Sequence, residues 1–309
     1  MINMNQFLLE LHQKYGPLNE GQTANYIPEL ASVKTNQFGI AIVTCDGQIY
    51  SVGQTNTDFT LQSVSKPFVY AMALQEFGRE FMRSHVGVEP SGEAFNSIVE
   101  LEKRTHRPYN PMINSGAIAV SSFIKDKNGI SREQRVLNLF SQYTNREHVI
   151  DDKVFYSEKE TAHRNRSIAH LLRHFNVIGD DIDESLDLYF KQCSVLVNTI
   201  DLAFMAATLA NNGIQPLTQK KVLDKEFIPD VLSLMFTCGM YDSAGEWAYT
   251  VGLPAKSGVS GGLLAVVPGK MGIATYSPLI DSHGHSVRGV KAITDLVRMY
   301  KLSIFNRAQ

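Results

Sequence analysis

The order of strand-like and helix-like patterns along the chain limits its possible folds more than any other feature. Residues 38–53, FGIAIVTCDGQIYSVG, contain two β-rich runs that flank an Asp-Gly dipeptide, which suits a tight hairpin turn. Near the other end the pattern again favours strands, over WAYTVGLPAKSG (247–258) and GGLLAVVPGKMGIATYSP (261–278). A final helix is predicted for 287–302, and the region between the two strand-rich ends shows mainly helical periodicity.

One sheet built from both chain ends accounts most simply for strand-rich ends around a helical middle. We therefore predict an α+β fold, with an antiparallel sheet, terminal helices packed on it and an inserted helical lobe. The sheet lobe is predicted to comprise about residues 1–73 and 236–309, and the helical lobe about 74–235. A chain of 309 residues suits a single catalytic domain over 1–309 with two lobes, rather than two independent domains.

The composition excludes several classes of partner. The formal net charge is −2, so neither nucleic acid nor an anionic membrane is an expected partner. No apolar run is long enough to span a bilayer, and residues 1–16 lack the basic leader of a secretory signal. Cys45, Cys193 and Cys238 are far apart and outside any CxxC motif, which favours buried thiols in a reducing compartment. The predicted location is the cytoplasm.

A Ser-x-x-Lys motif, from Ser63 to Lys66, stands at the predicted start of a helix in LQSVSKPFVY (61–70). The proline that follows the lysine suits the first turn of a helix, where a missing N–H costs little. The spacing places both side chains on one helical face, and the helix start offers unpaired N–H groups and a partial positive charge. Such a serine can attack a carbonyl if the lysine is neutral, which requires burial and cationic neighbours to lower the lysine pKa from ~10.4 to near neutral pH.

The motif alone leaves other interpretations open. A second copy, from Ser122 to Lys125, lies inside an apolar helical pattern, where a buried small residue and a surface lysine are the simpler interpretation. For Ser63 the alternative is an N-cap serine followed by a solvated lysine. Ser65 is a competing nucleophile but has phenylalanine three residues later, so we interpret it as a first-turn hydroxyl.

Lys256-Ser257-Gly258 is the only Lys-[Ser/Thr]-Gly motif in the chain, and it lies on a predicted strand. Serine β-lactamases and penicillin-binding proteins contain Ser-x-x-Lys and Lys-[Ser/Thr]-Gly in this order, on a similar plan of β-rich ends and a helical middle. In those proteins the second motif edges the site, and its strand supplies an N–H group to the oxyanion. The pair of motifs therefore predicts the β-lactamase/transpeptidase-like form of the α+β fold.

Long segments of the chain resemble the serine-dependent, β-lactamase-like glutaminases. The segments are NYIPELA, LQSVSKPF, YNPMINSGAI, SEKETAHRN, LDLYFKQCS, GMYDSAGEWAYTVGLPAKSGVSGG and VVPGKMGIATYSP. They occur in the family's order and extend over nearly the whole chain. The resemblance implies hydrolysis of L-glutamine to L-glutamate and ammonia through an acyl-serine intermediate, without a metal or cofactor, by a homo-oligomer that is expected to be a tetramer.

The resemblance also implies roles for individual residues. Ser63 would be the nucleophile, Lys66 its base and Tyr241 a second proton carrier beside them. The substrate-contacting positions would be Ser63 and Tyr241 together with Tyr26, Asn114, Glu158, Asn165, Tyr189 and Val259, the last through its backbone N–H. These residue types suit free glutamine, because a carboxylate can bind its ammonium group, whereas tyrosines and asparagines can orient its carboxylate and amide.

Structural roles stay open for each of these residues taken singly. The tyrosines would then be half-buried aromatics tied by one hydroxyl, the two asparagines would serve helix starts, and Glu158 would be a solvated charge. The chain also departs from the family pattern at residues 162–163 and 243–244, where it has Ala-His and Ser-Ala, and these departures bear on substrate affinity and loop geometry. Its histidine pairs, at 170 and 174 and at 283 and 285, lack a third ligand at metal spacing and are interpreted as structural or solvated.

Two other functions stay open at this stage. A peptidase or β-lactamase-type hydrolase would share both motifs, but its substrates lie outside the cytoplasm, and the chain has no recognisable export signal and no Ser-Asp-Asn motif. An inactive glutamine-binding protein would keep the substrate positions, but the intact set of Ser63, Lys66 and Tyr241 argues against it.

Overall fold

Both ends of the chain contribute strands to one five-stranded antiparallel sheet in the computed structural model, which describes residues 3–25, 27–92, 96–98, 101 and 106–306. The strands are β1 (Gly39–Thr44), β2 (Ile49–Gly53), β5 (Ala255–Ser257), β6 (Gly262–Val267) and β7 (Met271–Tyr276), in the order β2-β1-β7-β6-β5. A separate ribbon pairs β3 (Phe59–Thr60) with β4 (Leu196–Val197). The prediction of an antiparallel sheet built from both termini is confirmed.

Twelve helices lie within the described residues, most of them between the two strand-rich ends. They are α1 (Met4–Tyr15), α2 (Pro28–Ala31), α3 (Lys66–His85), α4 (Asn114–Phe123), α5 (Arg132–Thr144), α6 (Asp152–Thr161), α7 (His163–His174), α8 (Ile182–Cys193), α9 (Thr199–Ala210), α10 (Ile228–Cys238), α11 (Ala244–Thr250) and α12 (Val287–Tyr300). Short 3₁₀ turns span Gln62–Ser65, Lys225–Phe227 and Tyr241–Ser243. The first and third of these turns carry two of the predicted site residues.

The β1–β2 hairpin has the turn that its Asp-Gly dipeptide predicts. Gly47 has a φ of 86°, a conformation that a side chain would disfavour. Along β1, Ile40 and Ile42 pack in the core beside α1 and α12, while Ala41 and Val43 pack in the core on the α9 side. This alternation follows from the two-residue period of a strand and shows that both faces of the sheet are covered.

Helix α9 packs very close to the sheet. A Cβ atom at Gly272 of β7 would lie 2.2 Å from the Ala207 nitrogen and 2.4 Å from the Ala203 oxygen, so only glycine fits there. The sheet is thus held between α9 on one face and the two terminal helices α1 and α12 on the other.

One predicted strand is partly wrong. The segment 247–258 was expected to be extended, but its first residues belong to helix α11, and only its end forms β5. Trp247 and Val251 are both buried at helical spacing, and the Trp247 indole donates to the Leu253 carbonyl at 2.8 Å. Residues 98–104, which belong to the region of predicted helical periodicity, lie mainly outside the described residues. Within the described ranges, no helix combines the length and apolar character needed to cross a membrane.

Candidate active site

Ser63 lies in the 3₁₀ turn that leads into α3, rather than inside the helix. The preceding residue, Gln62, has a φ of 49°, which is uncommon for a side chain other than glycine. The turn is fixed by a hydrogen bond from the Leu61 N–H to the Val195 carbonyl at 2.9 Å and by one from the Ser65 hydroxyl to the Gln62 carbonyl at 2.8 Å. Ser65 therefore acts as a turn hydroxyl, as the sequence suggested, and Ser63 is left with its side chain in the site.

Lys66 is almost completely buried, with 1% of its surface exposed. Its Nζ donates to the Asn114 Oδ1 at 2.7 Å, and the Asn114 amide donates to the Asn165 Oδ1 at 3.0 Å. Burial lowers the pKa of Lys66 to about 8, with smaller opposing effects from Cys193 and Glu158. A partly neutral amine beside the Ser63 turn can accept a proton at physiological pH.

Tyr241 comes from a different part of the chain and also has a left-handed backbone, with a φ of 52°. Burial raises the pKa of its phenol, and a hydrogen bond with Ser63 opposes that rise. The Lys66 Nζ lies 5.8 Å from the Tyr241 ring centre and 5.9 Å from that of Tyr189. The structure therefore brings Ser63, Lys66, Tyr241 and Tyr189 into one cluster.

Lys256 is a member of this cluster that the sequence analysis left without a role. Its Nζ lies 3.9 Å from the Tyr241 ring centre and donates to the Ser257 carbonyl at 2.7 Å. Burial, with the help of the Lys66 charge, lowers the pKa of Lys256 well below its usual range. The Lys-Ser-Gly motif was the available signal, but the spacing of a motif does not show which way its lysine points.

The Lys-Ser-Gly strand packs directly on the Ser63 turn. A Cβ atom at Gly258 would lie 2.9 Å from the Leu61 oxygen and 3.2 Å from the Val64 Cγ2, so the approach requires glycine. Val259 follows and is buried. The expected arrangement of a β5 edge beside the serine turn is therefore present.

Glu158 on α6 supplies a buried carboxyl group at the site. Its Oε2 has no hydrogen-bond partner among the described residues, while a hydrogen bond with Gln62 and the charge of Lys66 act on the group as a whole. Burial outweighs both effects and raises the pKa of Glu158 to about 8. A buried polar atom without a partner is costly unless a ligand satisfies it, so Oε2 is a candidate contact for a cation.

Most of the predicted site residues thus connect to one another. Asn165 reaches the cluster through Asn114, and Val259 adjoins it through Gly258. Tyr26 lies outside the described residues. Gln62 was not predicted as a site residue. Its place in the site depends on a backbone turn and on a contact with Glu158, almost a hundred residues away. The antiparallel sheet, the helices between its two strand-rich ends and this buried cluster define a protein of the β-lactamase-like class.

Comparisons with known proteins give the family within that class. The sequence model of the family described as Glutaminase matches residues 21–305. A glutaminase of Microcystis aeruginosa is 52% identical over 303 residues, which cover 98% of this chain and 89% of the relative. A solved structure described as a probable glutaminase has a TM-score of 0.95 at 42% identity, covering 99% of this chain and 100% of its own. A structure of a protein named Mglu in its glutamate form has a TM-score of 0.94 at 40% identity, covering all of this chain and 72% of its own.

The chain belongs to the glutaminase family, whose members hydrolyse glutamine to glutamate and ammonia.

Proposed function

We propose that the protein hydrolyses L-glutamine through an acyl-serine intermediate on Ser63, with Lys66 as the base. One observation carries this proposal. Lys66 is removed from water beside the Ser63 turn and donates to an amide, Asn114, rather than to a carboxylate. An ion pair would keep the amine charged, whereas burial with a neutral partner favours the form that accepts a proton.

The proposed reaction has two halves. In the first, the Ser63 hydroxyl attacks the side-chain amide carbon of glutamine and its proton passes to Lys66. The N–H groups of Ser63 and Val259 stabilise the oxyanion, an effect typically worth ~3 kcal/mol for each donor. The C–N bond then breaks, the proton is returned through Tyr241 to the leaving nitrogen, and ammonia departs. In the second half, water attacks the ester with help from Lys66, and glutamate leaves with Ser63 restored.

The proposed substrate contacts match the polar groups of free glutamine. Glu158 binds the ammonium group through its unpartnered Oε2, and the ammonium in turn favours the ionised carboxylate. Asn114, Asn165 and Tyr189 orient the amide and the carboxylate, and Tyr26 is expected to join them. The glutamate form of the similar protein Mglu supports this assignment, because glutamate is the product of the proposed reaction.

The direct test is to capture Ser63 as a covalent adduct. The protein would be incubated with a diazo-ketone analogue of glutamine and the labelled peptide identified by mass spectrometry, while ammonia release is measured with glutamine, asparagine and a β-lactam. We expect an adduct on Ser63 and turnover of glutamine. An adduct on any other residue would refute the nucleophile assignment, and turnover of the β-lactam alone would favour the hydrolase alternative. Tight glutamine binding without ammonia would instead favour a binding protein.

Three broader assignments are also proposals. The resemblance to the family supports a homo-tetramer, which light scattering of the purified protein would test. The reducing environment expected for three unpaired cysteines supports a cytoplasmic location, which cell fractionation would test. We also propose that the whole chain forms one catalytic domain, with the two lobes at the boundaries given above, and a single cooperative unfolding transition is the expected result.

A further inference from the structure

A buried histidine from the loop before α12 connects the two elements that carry Tyr241 and Lys256. His285 is 3% exposed, and its ring is stacked 6.0 Å from the Tyr241 ring at an angle of 10°. Its Nδ1 lies 2.8 Å from the Ser257 hydroxyl, next to Lys256. Its Nε2 lies 2.6 Å from the Ser243 hydroxyl and 3.2 Å from the Met240 carbonyl, which belong to the residues around Tyr241.

The partners of the His285 ring assign its tautomer. The Ser243 hydroxyl donates to the Met240 carbonyl at 2.8 Å, so its oxygen is free to accept. A hydrogen on Nε2 therefore serves both Ser243 and Met240, and Nδ1 accepts from the Ser257 hydroxyl. This is the arrangement in which every one of these groups has a partner of the right kind.

The neighbours of His285 keep the ring neutral and its loop fixed. Burial lowers the pKa of His285 to about 4, with Asp281 opposing this effect and Lys256 and His283 adding to it. The Asp281 carboxylate accepts the backbone N–H groups of His283 and His285 at 2.9 and 3.0 Å. The imidazole thus keeps its one-donor, one-acceptor pattern over the whole pH range in which the enzyme is expected to work.

Tyr241 needs this support because its backbone is strained. A residue with a side chain in the left-handed region costs on the order of 1–3 kcal/mol and persists only when its surroundings impose that conformation. His285 contacts the residue before Tyr241, the residue two after it and the ring itself. The same side chain thus hydrogen-bonds to both the Tyr241 turn and the Lys-Ser-Gly strand.

We propose that His285 is a positioning residue of the glutaminase reaction, which holds the Tyr241 turn against the Lys256-Ser257-Gly258 strand so that the Tyr241 hydroxyl meets Ser63. The inference rests on the proposed function. The imidazole of His285 directs one N–H to the turn and one nitrogen lone pair to the strand, so the two contacts can be removed separately.

Substitutions at His285 separate the two contacts. In His285→Gln, the amide nitrogen can take the place of Nε2 and keep the contact with the turn. In His285→Asn, the amide oxygen can take the place of Nδ1 and keep only the contact with Ser257. We expect kcat to fall about 100-fold in His285→Ala and in His285→Asn but about tenfold in His285→Gln, with KM within about threefold, since small displacements of a reacting group are costly. Ser243→Ala should then lower kcat in the wild type and in His285→Gln, but not further in His285→Asn.

The control is a second buried histidine with similar partners. His148 contacts the Thr144 hydroxyl at 2.7 Å and the Leu196 carbonyl at 2.9 Å, and burial also lowers its pKa. His148→Gln should lower the thermal midpoint without changing kcat per folded molecule. Unchanged kcat in His285→Ala, equal kcat in the Gln and Asn variants, or losses that follow the thermal midpoint in all variants would overturn the proposal.

A second readout keeps this test independent of the substrate. Labelling of Ser63 by a fluorophosphonate requires an activated serine but not glutamine. The labelling rate should fall least in His285→Gln and further in His285→Asn and His285→Ala. If the wild type releases no ammonia from glutamine, the proposed function fails while the labelling order still decides the role of His285. If glutamine is hydrolysed but the labelling rates are equal in all variants, the role of His285 is refuted alone.

Discussion

The chain contains the same four-residue spacing twice, and the two copies have opposite surroundings. Ser63 lies in a turn before α3, and its partner Lys66 is 1% exposed. Ser122 lies inside α4, where its hydroxyl donates to the Ala119 carbonyl at 2.7 Å. Its partner Lys125 has a side chain that is 50% exposed and forms an ion pair with Asp181.

The comparison indicates what the proposed reactivity of Ser63 requires beyond the spacing of the motif. In the second copy, the hydroxyl already donates to the helix backbone, and the amine is half-exposed and paired with a carboxylate. In the first copy, the turn frees the hydroxyl, and burial lowers the pKa of Lys66 to about 8. On the proposed mechanism, the environment of the lysine, rather than its position in the motif, therefore decides whether the serine can react.

The largest expected effect comes from removing each serine hydroxyl in turn. Ser63→Ala should lower kcat for glutamine at least about 1,000-fold, because the covalent route is lost. Ser122→Ala should change kcat less than about twofold, since its hydroxyl only supplements a helix carbonyl. Ammonia release by both purified proteins measures the difference. Retained turnover in Ser63→Ala, or a large loss in Ser122→Ala, would reverse the comparison.

The sequence predicted the sheet because its strands have local signals. The Asp-Gly hairpin, the alternation along β1 and the two motifs can all be seen within short windows. The strand prediction was wrong for the start of the 247–258 segment, because a short apolar run fits a strand and a buried helical turn equally well. Its side chains alone do not decide between these, and the packing of Trp247 does.

The contacts within the site could not be predicted in the same way. Lys66 meets Asn114 across 48 positions, Asn114 meets Asn165 across 51, and His285 meets Ser243 across 42. Such pairs depend on how distant segments of the chain fold together, which leaves no local pattern in the sequence. The resemblance to the family supplied Asn114 and Asn165, but neither the resemblance nor the spacing identified His285, which was interpreted as structural or solvated.

The next largest effect is the dependence of the rate on pH. Because only neutral Lys66 can accept the serine proton, kcat/KM should fall about tenfold per pH unit below about 8 and level off above it. Lys66→Met should lose about 100- to 10,000-fold in kcat at pH 9, the range typical of a lost general base. Lys125→Met should keep both the rate and the profile. A wild-type profile that is flat from pH 6 to 9 would contradict a buried basic group at Ser63.

The same burial has a consequence for stability. The folded pKa of Lys66 lies below its usual 10.5, so between about pH 8 and 10.5 the unfolded chain binds more protons at this residue. Its contribution to the free energy of unfolding is therefore present above 10.5 and is lost as the pH falls towards 8. In urea unfolding, the free energy of unfolding should increase less from pH 8 to pH 10 for Lys66→Met than for the wild type. Lys125→Met should show the same increase as the wild type.

A smaller effect separates substrate binding from catalysis. Glu158→Gln keeps the shape of the side chain but removes its charge, and we expect KM for glutamine to rise about 10- to 100-fold because a charged hydrogen bond is lost. Asp181→Asn removes the carboxylate that pairs with Lys125 of the exposed copy, and it should leave KM unchanged. A normal KM in Glu158→Gln, measured by ammonia release over a range of glutamine concentrations, would exclude Glu158 as the partner of the ammonium group.

Glu158→Gln should also change how stability depends on pH. Burial raises the folded pKa of Glu158 from 4.5 to about 8, so the stabilisation is present below 4.5 and is lost as the pH rises through 8. The variant lacks this loss and should gain in relative stability between pH 5 and pH 9. The charges of Lys66 and Glu158 each oppose the pKa shift that burial causes in the other group. The change in wild-type stability with pH therefore belongs to the pair rather than to either residue.

The smallest effect lies at the exposed copy of the motif. Lys125→Met should change the free energy of unfolding by only about 0–1 kcal/mol, because an exposed ion pair gains little from its charges and Asp181 keeps a second partner, Arg132, at 3.3 Å. The small change should shrink further when urea unfolding is repeated in 1 M salt, where the Debye length is about 3 Å. A loss that is large and insensitive to salt would mean that Lys125 is effectively buried. The exposed lysine would then no longer support the expectation that Ser122 is unreactive, and the hydrogen bond of the Ser122 hydroxyl to its own helix would have to support it alone.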